Sequence, residues 1–333
     1  MKRIVILLLT LVTALLIMGV NSCDSSTWNG KMMMIKQDGK GFKNLLDIGY
    51  QVDPLYGYHG GFGYMLTTQN HRILYTDPRS LHAINYFGSL NAMYFDMDPG
   101  NMMPSADGRY VYMRNGRMDL ESMVFYALFP DLHWTARLGS ISPDNRYLCY
   151  TLSRYQESTL IRLYDATTMQ YQEYDTGETS YSIHPVYLPE QDYIYFTSAA
   201  GLKKVRPDGS ELSVVNSYST GGDGDLRVLF GSDKLLQIAG SSEAHLIDLT
   251  TESVELSFTM DRPYASAHRP LICASMKASK IFFVRENRIM SYDWNSGLEQ
   301  LVFKGSSKKA NIHTSITCSW DGEWVFFVGI IKD

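Results

Sequence analysis

This sequence predicts an all-β fold, a seven-bladed β-propeller closed by its own N-terminal strands, and three observations predict it. A polar turn followed by a short apolar run recurs at intervals of about 42 residues. The runs are β-branched and aromatic, are bounded by Gly, Asp, Asn and Ser, and lack the i, i+3, i+4, i+7 spacing of a helix. The half-unit missing after the last run is found near the N-terminus.

The runs are Ile73-Leu74-Tyr75, Val111-Tyr112-Met113, Leu148-Cys149-Tyr150, Ile194-Tyr195-Phe196, Leu236-Gln237-Ile238, Ile281-Phe282-Phe283 and Val325-Phe326-Phe327, whose first residues stand 38, 37, 46, 42, 45 and 44 apart. The turns before them include Ser105-Ala106-Asp107-Gly108, Ser142-Pro143-Asp144-Asn145, Leu188-Pro189-Glu190-Gln191 and Ser319-Trp320-Asp321-Gly322. Pro presets the first corner of such a turn, and Asp, Asn and Gly tolerate the next positions. Leu163-Tyr164-Asp165, Leu246-Ile247-Asp248 and Ser291-Tyr292-Asp293 read as third strands ending in Asp-led turns, and Leu298 to Lys304 reads as a fourth. Four short strands per unit make a propeller blade.

The last unit ends at Asp333 after its second strand, whereas Met32 to Gly39 and Phe42 to Leu46 supply a third and a fourth. Ile35-Lys36-Gln37-Asp38-Gly39 matches Val205-Arg206-Pro207-Asp208-Gly209, the third strand and turn of the fourth unit. The N-terminal strands are therefore expected to complete the last blade, and closure removes the sheet edges that invite aggregation. Seven runs give seven blades; because the intervals of 37 and 38 are tight for four strands, six or eight stay open at this point. The expected division is residues 1–22 as a leader, 23–29 as a tether and 30–333 as one propeller domain.

Met1-Lys2-Arg3, the uncharged stretch from Ile4 to Val20, and Asn21-Ser22-Cys23-Asp24 have the order of a secretory signal. Val20-Asn21-Ser22-Cys23 resembles the bacterial lipobox, and the resemblance implies that Cys23 becomes a lipidated N-terminus in the cell envelope, facing the periplasm or the cell surface. Three cysteines remain, Cys149, Cys273 and Cys318, each in an apolar run. Buried free thiols are expected, one disulfide stays open, and zinc spacing is absent.

With 45% hydrophobic and 20% charged residues the chain can bury a sizeable core, which excludes disorder and coiled coil as the main architecture. Net charge is −5, or −7 once Lys2 and Arg3 leave with the leader. A duplex binder needs surplus Lys and Arg to displace counterions, so nucleic acid is not an expected partner.

The turns, the apolar runs after them and the Asp-Gly or Tyr-Asp third strands resemble the WD40-like repeats of TolB-type propellers, whose unit centres on a Ser-Pro-Asp-Gly turn. The resemblance spans roughly residues 30 to 333, with Ser142-Pro143-Asp144 keeping three turn positions in order. It implies the fold and leaves the ligand open, since function lives in sites grafted on folds.

No nucleophile elbow, phosphate loop or His-Glu-x-x-His motif occurs. Gly221-Gly222-Asp223-Gly224-Asp225 lacks the final Asp of a calcium repeat and reads as a loop. Asp96-Met97-Asp98 fails as an EF-hand start at Gly100. His59-Gly60-Gly61-Phe62-Gly63 reads as a crossing between blades.

Histidine placement is more informative. His59, His184, His268 and His313 fall just before or at the start of a first strand, where side chains of different blades converge on one channel mouth. With Arg269 they form a candidate site for an anionic or sugar-like ligand, and the same positions also suit strand caps. Two functional expectations follow. The leading one is a lipid-anchored, non-catalytic module that binds an envelope protein or glycan and carries no cofactor. The alternative, by resemblance to propeller lyases related to TolB, is a metal-assisted enzyme acting on acidic saccharides, with His as base and a divalent metal stabilising the enolate. That alternative requires His184, His268 and His313 to share one metal, with each nitrogen at about 2 Å.

Overall fold

The computed structural model describes residues 28–331 except 53–64, 68–71, 77–80, 86–89, 95–102, 106–108, 114–115, 123, 128–134, 154–156, 180–182, 219–224, 230–231, 240–241, 262–270, 276, 307–310 and 320. The chain opens with β1 (Trp28–Lys36) and β2 (Lys43–Val52). A first blade follows, β3 (Met65–Thr67), β4 (Arg72–Thr76), β5 (Leu81–Asn85) and β6 (Leu90–Tyr94), then a second, β7 (Met103–Pro104), β8 (Tyr110–Met113), β9 (Gly116–Asp119) and β10 (Phe125–Ala127). The third is β11 (Thr135–Ile141), β12 (Tyr147–Ser153), β13 (Leu160–Asp165) and β14 (Gln170–Asp175). The fourth is β15 (Pro185–Leu188), β16 (Tyr193–Ser198), β17 (Gly201–Val205) and β18 (Ser213–Asn216). The fifth is β19 (Asp225–Leu229), β20 (Lys234–Ala239), β21 (Glu243–Asp248) and β22 (Ser253–Thr259), and the sixth is β23 (Ile272–Ser275), β24 (Lys280–Arg285), β25 (Arg288–Asp293) and β26 (Leu298–Lys304). The chain closes with β27 (Asn311–Cys318) and β28 (Trp324–Ile331).

Among the described residues, hydrogen bonding gathers these strands into seven four-stranded sheets, as many as the apolar runs of the sequence. Six sheets run in sequence order, and the seventh has the order β2-β1-β28-β27. The N-terminal strands thus complete the last blade: β1 pairs antiparallel with β28 from Asn29↔Ile331 to Lys36↔Trp324. β1 begins at Trp28, two residues before the expected domain boundary. The turn that follows β1 repeats the blade-four turn it was matched to. Gly39 N donates to Lys36 O at 2.9 Å as Gly209 N does to Arg206 O, and Lys40 N reaches Asp38 Oδ1 as Ser210 N reaches Asp208 Oδ1, both at 2.9 Å.

First strands of successive blades touch around the ring, including β27 against β3 across the closure. Between them the blades pack face to face, and the core sits in these interfaces. Among the described residues, the second strands of the third to sixth blades are covered on both sides, which explains runs of consecutive apolar residues where a half-exposed strand would alternate. Ile281 and Phe283 face the fifth blade with Leu236 and Ile238, while Phe282 and Val284 face the last blade with Met33, Ile35, Val325 and Phe327. In the fifth blade the run starts one residue earlier than expected, at Leu235, which is fully buried and packs toward the fourth blade. Lys234 opposite Asp248 fixes that register, just as Lys280 opposite Asp293 does in the next blade.

Antiparallel order gives the ring two unlike faces. One carries the turns between strands one and two and between three and four, and the other carries the links from blade to blade. Two side-chain devices rigidify the turn face. A Ser hydroxyl at the turn start accepts the first N–H of strand two, in Ser105←Tyr110, Ser142←Tyr147 and Ser319←Trp324, at 2.8–2.9 Å. An Asp at the end of strand three caps the next turn with one oxygen and, in two blades, grips an Arg beside strand two with the other. Asp165 Oδ1 takes Thr167 N and Thr168 N while Oδ2 takes Arg146 at 2.8 Å, and Asp119 does the same with Glu121, Ser122 and Arg109.

Blade contacts are close enough to demand glycine in places: a Cβ on Gly139 would stand 1.8 Å from the Pro185 carbonyl oxygen. Cys149, Cys273 and Cys318 are buried free thiols. Burial pushes the Cys149 thiol up, and contact with Cys273, then burial, does so for Cys318.

Hydrogen bonds from Arg109 and Arg146 hold the Asp119 and Asp165 carboxyls down to about 2. A depressed carboxyl contributes stability that is full above its unfolded value, near 3.8, and is lost as pH falls toward 2. The melting temperature is therefore expected to drop between about pH 4 and 2, and Asp165→Asn should flatten part of that drop. Equal acid dependence in the variant, measured by thermal unfolding, would contradict the assignment.

Candidate functional site

The expected channel-mouth site is described only in part. His184 stands immediately before β15 on the linker face, as expected of a residue entering a first strand. Its ring Nδ1 lies 3.5 Å from Asp225 Oδ1, and its backbone N–H donates to Thr197 Oγ1 at 3.0 Å. His313 lies within β27, a first strand, at the start of a stretch of irregular pairing with β28. Cys23, His59, His268 and Arg269 lie outside the described residues, as do Gly221 to Gly224 and Asp96 to Asp98. Among the described residues no group of three His, Cys, Asp or Glu side chains is placed to hold a metal.

Two members of this site were missed in the sequence because a glycine-rich stretch was read as loop through Asp225. Asp225 instead opens β19, and Leu226 after it is buried in the interface with the fourth blade. His184 and Asp225 each stand four residues before the end of their first strands, so the ring places them side by side. Arg227, two residues on, donates from Nε to Asp225 Oδ2 at 3.3 Å and from Nη1 to the Ile272 carbonyl at 2.8 Å. This chain of contacts runs from blade four through five to six, and its polarity is balanced internally.

A second polar cluster lies between blades four and five. Gln237, fully buried, accepts from Asn216 Nδ2 and donates to the Tyr218 carbonyl, both at 3.0 Å. His245 shares a hydrogen bond with Ser257 at 2.9 Å beneath the Tyr218 ring. Burial lowers the His245 pKa, so the ring is held neutral.

The turn face carries a cleft of about 410 Å³ between blades three and four. Its walls include Tyr147, Tyr187, Asp165, Gln170, Asp192 and Arg206. The rings of Tyr147 and Tyr187 meet edge to face at 5.2 Å, and Tyr187 Oη donates to Asp192 Oδ1 at 3.0 Å. Arg206 reaches Asp192 at 3.3 Å and Glu211 at 2.9 Å. On the other face of blade three, toward blade two, Tyr171 is 57% exposed on the outer strand β14 and rests against the Arg162 guanidinium at 4.0 Å from its ring centre. Arg162 is itself tied to Glu173 at 2.7 Å. The cleft is therefore built from rigid tyrosines and from charges that already have partners.

No protein-family model matches the chain, and no curated protein matches it. Solved structures do. An oligogalacturonate lyase in complex with manganese is similar over 82% of this chain and 90% of its own, with TM-score 0.53 and 13% identity. An oligogalacturonate lyase from Vibrio parahaemolyticus is similar over 91% and 97%, with TM-score 0.53 and 15% identity. A putative TolB from Agrobacterium tumefaciens covers 92% and 99%, with TM-score 0.49 and 15% identity. The likeness is one of fold. That fold is the β-propeller, seen here as a succession of four-stranded sheets, and a fold does not fix the chemistry of a site.

The Arg227 contact joins blades five and six through the channel wall. Arg227→Ala is expected to lower unfolding free energy by about 1–2 kcal/mol, the range for a partly exposed charged donor to a carbonyl. Urea unfolding measures it, and an unchanged midpoint would contradict the role.

Proposed function

We propose that this chain is a lipid-anchored propeller of the bacterial cell envelope that works as a non-catalytic binding module, taking an envelope protein or a glycan on its turn face. The observation that carries the reading is the polarity of β1. This strand starts at Trp28 on the linker face, level with the end of β28, and ends at Lys36 on the turn face, level with its start. Cys23 stands five residues before Trp28, a tether of at most about 18 Å when extended. A lipid on Cys23 therefore holds the linker face toward the membrane and presents the turn face away from it. The turn face is pinned by the Ser and Asp caps, and it holds the tyrosine cleft. Preorganised surfaces of this kind lose little entropy on binding.

The metal-assisted lyase reading has one support among the described residues, the position of His184 beside Asp225 at the channel mouth. The two readings make opposite predictions for the purified full-length protein. Incubated with oligogalacturonate and manganese, it is expected to form no unsaturated product; turnover that is lost in His184→Ala would establish the lyase instead. In cells given a labelled fatty acid, the wild type is expected to carry label and sediment with membranes, and Cys23→Ser to lose both. Membrane retention unchanged by Cys23→Ser would overturn the anchoring.

A further inference from the structure

We propose that Cys273 and Cys318 are a thiol pair that closes to a disulfide as the chain folds, tying the first strand of the sixth blade to the first strand of the last. This goes beyond the binding-module reading and rests on it for the compartment alone, the cell envelope, since disulfides form and persist in oxidising surroundings.

The geometry brings the two sulfurs together. Cys273 lies opposite Phe282 and Cys318 opposite Val325 in their own sheets, and directly opposed residues share a face. Phe282 looks toward the last blade and Val325 toward the sixth, in the one core cluster that holds both cysteines. The thiols therefore enter the same layer from opposite sides. Their strands, β23 and β27, touch along the channel wall. The turns that follow these strands are pressed together, so that a Cβ on Gly322 would stand 2.5 Å from Ala278 Cβ and 2.8 Å from Ser275 Oγ. Within this frame the Cys318 thiol is hydrogen-bonded with that of Cys273. Cys149 supplies the contrast: it is buried between blades three and four in a cluster without another cysteine. The chain thus holds one facing pair and one single thiol among its described cysteines.

Closure takes two thiol–disulfide exchanges. One cysteine, as thiolate, attacks a disulfide of another molecule and releases one thiol. The second cysteine attacks the mixed disulfide at the protein sulfur and releases the other. The protein gives up two protons and two electrons, and the external disulfide is reduced to two thiols. Burial sets the timing. Cys273 is 4% and Cys318 5% exposed, so an external disulfide reaches them only before the two blades meet, and the finished bond is shielded from reductants. The two cysteines stand 45 positions apart, and a bond closing so long a loop restricts the unfolded chain and raises stability.

The experiment refolds the full-length protein, reduced in urea, by dilution into detergent micelles with reduced and oxidised glutathione. Remaining thiols are then alkylated with N-ethylmaleimide under denaturing conditions, and the peptides are mapped by mass spectrometry. The peptides carrying Cys273 and Cys318 are expected to be joined, with Cys149 alkylated. The oxidised protein should unfold at higher urea than the same protein in dithiothreitol, and the difference should vanish in Cys273→Ala. The wild-type comparison is made on one chain, so it decides the matter even where an alanine variant folds poorly. Two alkylated cysteines after refolding, pairing of either with Cys149 in equal yield, or equal midpoints for oxidised and reduced wild type would overturn the inference. In cells, membrane-bound protein that carries the fatty-acid label yet keeps both thiols reduced would overturn it as well. Protein that closes the bond on refolding, but in cells carries no label and keeps both thiols reduced, would overturn the envelope reading and leave the pair's chemistry standing.

Discussion

The antiparallel pairing of β1 with β28 is the contact on which the ring depends. Without it β28 would present an open edge, and the sixth blade would lose the part of its apolar wall that Met33 and Ile35 build beside Phe327 against Phe282 and Val284. Several smaller contacts reinforce the seam from the N-terminal side. Phe42 stacks on Phe303 with ring centres 5.3 Å apart, and Lys280 Nζ donates to Gln37 Oε1 at 2.6 Å. The glycine turn between β1 and β2 sits close to the Val302 carbonyl, with Gly39 at φ +79°, a conformation that suits glycine. The closing strands are thus held to the neighbouring blade as well as to their own.

Two-sided burial also explains which parts of the fold were legible. Second strands lie between two neighbouring blades, so they are largely apolar, with buried Gln237, Thr151 and Thr197 as exceptions, and the seven runs mark themselves in the sequence. Fourth strands form the outer wall, and their side chains are largely exposed: Gln170 to Asp175 and Leu298 to Gln300 carry little apolar signal. They were readable mainly as what must follow an Asp-led turn. The one-residue slip in the fifth blade has a related origin, because Leu235 and Leu236 are both buried and Gln237 interrupts the apolar run that begins after Lys234.

The site was less legible than the scaffold. His184 announced itself by standing before a first strand, a position that propeller geometry turns toward the channel. Asp225 and Arg227 did not, since the glycines before them look like loop and nothing local says that a strand begins at Asp225. The cleft was invisible for another reason. Asp165, Tyr147, Tyr187, Asp192 and Arg206 come from two blades, and each taken alone reads as a turn or strand residue. Only the packing of blade three against blade four brings them together, and the partners that neutralise the carboxylates become apparent only once the turns are folded.

The closing strands β1 and β2 belong to the last blade and complete the ring without a covalent link to β28. The most direct measurement of this is urea unfolding of a circular permutant in which a short Asn-Gly turn joins Ile331 to Trp28 and the new N-terminus precedes Met65. Asn29 and Ile331 are already paired neighbours, so one cooperative transition is expected, with a midpoint near that of the parent chain. Removing residues 28–52 altogether is expected to abolish the transition. A deletion that unfolds like the parent, or a permutant that does not fold, would contradict this closure.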